Sequence, residues 1–76
     1  MSKRTQDLAA ARRLLLALSE GLAKAGRLLF AAGLADEGRA VKRMHAEVGV
    51  MRQRVRKVHN AALAVEGDDT AMGENR

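Results

Sequence analysis

The sequence predicts an all-α fold: an antiparallel two-helix hairpin with heptad seams that dimerises into a four-helix bundle. Three observations carry that expectation. Leu8, Ala11, Leu15, Leu18, Leu22, Ala25, Leu29 and Ala32 recur in alternating steps of three and four residues, the apolar spacing of a heptad seam. Val41, Met44, Val48, Met51, Val55, Val58, Ala62 and Val65 repeat that spacing after a short gap. The chain has 76 residues and no Cys, so a lone hairpin buries little core and has no disulfide to brace it; self-association is the ordinary remedy.

The first helix is expected over about 5–32, after a short basic lead, with Thr5 as N-cap and Asp7 in the first turn, where a carboxylate suits the helix dipole. With Leu8 at heptad position a, Leu14 and Leu28 fall at g and Leu16 and Phe30 at b, so the apolar surface is wider than one seam requires. Burying a large apolar side chain is worth roughly 1.5–3 kcal/mol, and four left exposed would forgo an amount comparable with a small domain's stability. Leu14, Leu16, Leu28 and Phe30 are therefore assigned to the dimer interface. Gly26 shares the e edge with Ser19 and Gly33, a strip of small residues that lets another helix approach closely.

The break reads Ala32-Gly33-Leu34-Ala35-Asp36-Glu37-Gly38. Gly33 suits the left-handed position after the first helix, Leu34 can fold back on Leu29, and Asp36 can cap the second helix. A connection this short forces the helices antiparallel. The second helix is expected over about 37–65, with Met44 and Met51 as core d residues and Val50 and Leu63 as apolar residues outside the stripe. Residues 1–66 then form the hairpin, and 67–76, small and acidic with no apolar period, form a flexible tail.

The net charge of +5 is unevenly spread. Residues 1–65 carry 13 basic and 5 acidic side chains, or +8, whereas 66–76 carry one basic and four acidic, or −3. The candidate partner-binding residues are the cations of the second helix: Arg39, Lys42, Arg43, Arg52, Arg54, Arg56 and Lys57, with Glu47 the only acid between Arg39 and Asn60. Like charges crowded this way repel, and Arg matches phosphate because its planar fork donates two hydrogen bonds at once. Phe30 is the only aromatic, too few for the stacking platforms of single-strand binders, so contact with a duplex backbone is favoured over base reading.

Enzymatic function is not expected. The paired acids Asp36/Glu37 and Asp68/Asp69 lie in a bend and a tail without His, Cys or Ser beside them, and no phosphate loop accompanies Gly21 or Gly26. No cofactor is implied. His45 and His59 stand two heptads apart, about 21 Å along a helix, too far to share one metal. No apolar run approaches the roughly 18 residues of a membrane span, and no signal-peptide pattern opens the chain, so a cytoplasmic location is expected.

The Ala35-Asp36-Glu37 bend, the heptad core of large and small layers, and a tail containing Gly67-Asp68-Asp69 and Gly73-Glu74-Asn75 resemble the Rop-like family of dimeric helical-hairpin proteins. That resemblance implies the bundle architecture and, in the family, binding to paired RNA hairpins through polar residues and one aromatic on the first helix. Lys3 fits that pattern, but Ala10, Leu14 and Leu18 stand where the RNA-reading surface belongs, so the surface is not reproduced. The resulting expectation is a small, non-enzymatic, dimeric regulatory module whose basic second helix contacts a nucleic-acid backbone. The alternative is a protein-binding adaptor or inhibitor of the phage or plasmid type.

Overall fold

The computed structural model describes residues 2–74, with side chains from Ser2 through Glu66. Two helices, α1 (Lys3–Ala31) and α2 (Ala35–Glu74), pack against each other as a hairpin within a rod of 65 × 15 × 14 Å. The first helix starts two residues earlier than expected, because Ser2 rather than Thr5 is its N-cap: the Ser2 hydroxyl accepts the Thr5 N–H at 3.1 Å. Thr5, now inside the helix, turns its own hydroxyl towards α2.

The bend closes as a Schellman turn. Gly33 sits at φ 85°, its N–H donating to the Phe30 carbonyl at 3.0 Å while the Leu34 N–H donates to the Leu29 carbonyl at 2.8 Å. Only glycine reaches that φ without Cβ strain. The second helix also starts two residues earlier than expected, at Ala35, since the Gly38 N–H already reaches the Leu34 carbonyl at 2.9 Å. Asp36 is therefore a first-turn residue and not the cap; there, beside Glu37, it faces the positive end of the helix dipole and pairs with Arg39. The backbone of α2 stays helical past Val65 to Glu74. The expectation of a flexible acidic tail at 67–76 falls outside the described side chains.

The contact between the helices runs along heptad positions a and e, and this corrects the a and d reading of the sequence. The e row is small or polar: Thr5, Arg12, Ser19 and Gly26 on α1, and Gly38, His45, Arg52, His59 and Glu66 on α2, each buried or half-buried. Gly26 lies against Val41 and Gly38, so the e edge of small residues marks where the helices meet near the bend. Turning e inward turns d outward. Met44 and Met51, expected in the core, are about half exposed, as are Leu18 and Val65. Val48, at 9%, is the one buried hydrophobic residue among those described.

Candidate nucleic-acid interface

The cations proposed from the sequence separate by their place on α2. Lys42, Arg43, Arg54, Arg56 and Lys57 are exposed on its outer and lateral surfaces. Arg39 is exposed too, but its guanidinium is engaged by Asp36. Arg52 is half-buried, because it occupies an e position in the seam. Among the described residues, Arg39–Asp36 is the only ion pair, so no described carboxylate pairs with the remaining six.

Antiparallel helices place like heptad positions on the same side of the hairpin, so it has two distinct flanks. On the b and f flank, Arg12 from α1 and Arg52 and Arg56 from α2 line an open cleft of about 460 Å³ with Ala46, Gly49, Val50 and Gln53. Closer to the bend, Arg27, Phe30, Lys42 and His45 border a smaller hollow of about 240 Å³. Arg12 was not among the residues singled out from the sequence. It is one more cation of α1 by residue type, and only the register of the hairpin brings it beside Arg52.

Arg12 is held in place. Its Nη1 lies 2.9 Å from Nδ1 of His59, and since a guanidinium only donates, Nδ1 accepts and the ring proton sits on Nε2. That Nε2 is buried without a hydrogen-bond partner among the described residues. The two histidines thus stay apart in role as in position, and among the described residues no group of three or more His, Cys, Asp or Glu is placed to hold a metal.

The d and g flank is mostly apolar, with Glu47 and Arg54 as charged g residues of α2. Leu14 and Leu28, at 71% and 69% exposure, share it with Leu18, Met44, Met51, Val58 and Val65. Residues two apart on a helix point about 200° apart, so Leu16 and Phe30 lie on the opposite flank. The four residues assigned to one interface are therefore all exposed in the single chain but do not form one patch. Phe30 has an intramolecular role as well: its ring lies over Gly38, where an added methyl group would come within 2.9 Å of it.

At the open end of the hairpin, the Ser2 backbone N–H and the Thr5 hydroxyl donate to Oε1 of Glu66 at 3.0 and 2.8 Å. Hydrogen bonding from the Ser2 side chain first, then from the Ser2 backbone and Thr5, holds the Glu66 carboxyl below its ordinary value of 4.5. This clamp ties the start of α1 to α2, and sequence reading had placed Glu66 with the tail's charges. Its visible signal is the continuation of the e row from His59 by seven residues.

Among the described residues, no helix is long and apolar enough to cross a membrane. Comparison of the chain with protein-family models, with curated proteins and with solved structures returns no match.

Proposed function

We propose that the chain is a small, non-enzymatic regulatory binding module that works as a homodimer and contacts a nucleic-acid backbone through basic α2. The observation that carries the binding reading is the run of exposed, unpaired cations on α2, Lys42, Arg43, Arg54, Arg56 and Lys57. Phosphate contact releases counterions, so affinity should fall steeply with salt and tolerate changes of sequence. A gel-shift series with unrelated duplexes tests it: the slope of log K against log salt should be about −0.9 per phosphate neutralised. Arg43, Arg54, Arg56 and Lys57 together replaced by Gln should abolish the shift while leaving helicity unchanged, since all four are exposed.

The dimer is supported by surface area. The chain exposes 5875 Å², against about 4,500 Å² for a compact monomer of its mass. A rod of 65 × 15 × 14 Å leaves more surface open than a compact fold does, and exposed Leu14, Leu18, Leu28, Met44 and Met51 are part of that surface. All five lie on the d and g flank, and a second copy seated there gives each helix two neighbours, as in a four-helix bundle.

A protein-binding adaptor or inhibitor is favoured by one observation, Val50, which stands 70% exposed beside Arg54 and Lys57. Salt-insensitive retention of an acidic protein with no duplex binding would establish that reading over the first.

A further inference from the structure

We infer that the cleft between Arg12, Arg52 and Arg56 is a phosphate-binding site built from both helices. This deepens the nucleic-acid reading and rests on it for the source of the phosphate, the diester of a duplex backbone. The cleft differs from a merely solvated basic face in three ways. Its cations converge from two helices on one concavity, whereas Arg43, Arg54 and Lys57 lie outside it. Arg12 is pinned by its bond to His59, which fixes one guanidinium face and reduces the ordering that ligand binding would demand. Arg52 is half-buried, where an uncompensated charge is worse solvated than on the open surface, and no described carboxylate lines the cleft or pairs with any of the three.

An oxyanion supplies what that arrangement lacks. It accepts charge-assisted hydrogen bonds from guanidinium donors and replaces mutual repulsion by shared attraction. The volume of about 460 Å³ lies in the range of roughly 300–1,000 Å³ typical of small-ligand sites, so a phosphate enters with its neighbouring sugar. Gln53 adds a neutral donor at the rim. Gly49 leaves one wall without a side chain, and a methyl group placed there meets nothing within 4 Å.

Gly49 also offers the decisive variant. Gly49→Glu sets a carboxylate into the cleft as a tethered competitor, in space that is open and on a helix that favours Glu over Gly. Ala17→Glu makes the same change of charge at an exposed site on α1, and Gly49→Ala controls for the backbone. The test is an amide and arginine Nε–H NMR titration of the full chain with inorganic pyrophosphate, and separately with a short mixed-sequence duplex. Both ligands should shift the signals of Gly49, Gln53 and the three arginines. Gly49→Glu should weaken binding by about tenfold or more, as expected for losing one charge-assisted contact, while Ala17→Glu and Gly49→Ala stay within about twofold. Equal weakening by the two Glu variants, or pyrophosphate shifts spread evenly over all cations, overturns the cleft. A duplex that binds the Gly49→Glu chain as tightly as the parent overturns it while leaving the backbone reading intact; pyrophosphate binding in the cleft without duplex binding does the reverse.

Discussion

The two flanks of the hairpin are made from the same two helices and behave as different surfaces. Along one, Leu14, Leu18, Leu28, Met44 and Met51 stand open; along the other, Arg12, Arg52 and Arg56 surround a cleft. The cause lies between them, in the e row. Gly26, Gly38 and Ser19 are small enough to bring the helices together there, and that rotation lifts the d residues of both helices out on one side. The large apolar d residues thus end up outside, while the a row of Leu and Val shares the seam with glycine, serine, histidine and arginine. A hairpin packed this way leaves a nearly continuous apolar row open on one flank, and on the other a basic cleft with Leu16, Phe30 and Val50 exposed around it.

The largest effect should come from charging the apolar flank. Leu18→Glu with Met51→Glu places carboxylates in the proposed dimer contact; each costs several kcal/mol if buried unpaired, so the chain should lose both oligomer size and helicity, as read by light scattering and circular dichroism. Leu16→Glu, on the opposite flank, should leave oligomer size unchanged. If Leu16→Glu dissociates the protein and the double variant does not, the flanks have been assigned the wrong way round.

The glycines give the next contrast. Gly38→Ala must displace the Phe30 ring, which is 45% exposed and can swing outward, so the lost ring contact offsets the ~1 kcal/mol gained in helix propensity and no net gain is expected in urea unfolding. Gly49→Ala and Gly21→Ala meet nothing and should instead gain up to about 1 kcal/mol each. A stabilising Gly38→Ala would mean that Phe30 does not rest on α2.

The smallest effect concerns the clamp at the open end. Hydrogen bonds from Ser2 and Thr5 lower the Glu66 carboxyl, so the folded state favours its charged form. Its contribution is present above the ordinary value of 4.5 and is lost as pH falls through the lower folded one. Glu66→Gln should therefore flatten part of the stability loss below pH 4.5 and change nothing near neutrality beyond a constant offset. An unaltered acid limb in that variant would remove Glu66 from the clamp.

The two helices and their bend were legible in the sequence, since Gly33 at the turn and the repeated apolar spacing are local signals. The choice of seam was not. A strict three-four repeat marks the a and d rows as apolar but does not say which flank turns inward, and the deciding residues, Gly26, Ser19 and Gly38, contribute by being small. Arg12 was hidden for a related reason: its partners Arg52 and His59 lie 40 and 47 residues away, so only the hairpin register joins them. Arg52 reads in the sequence as one more cation of α2, and only the packing of the e row shows that it is half-buried. Ser2 was passed over as a cap because Thr5, an equally good cap by residue type, stands beside the first apolar repeat.

The most direct test of the two-flank account is sedimentation equilibrium of the parent chain over a wide concentration range, with helicity followed in parallel. The expected result is a species of twice 8.2 kDa that loses helicity as it dissociates on dilution, because the exposed d row is then left to water. A fully helical, stably folded monomer at micromolar concentration would contradict it, and would mean that the hairpin tolerates Leu14, Leu18 and Met51 in water without a partner.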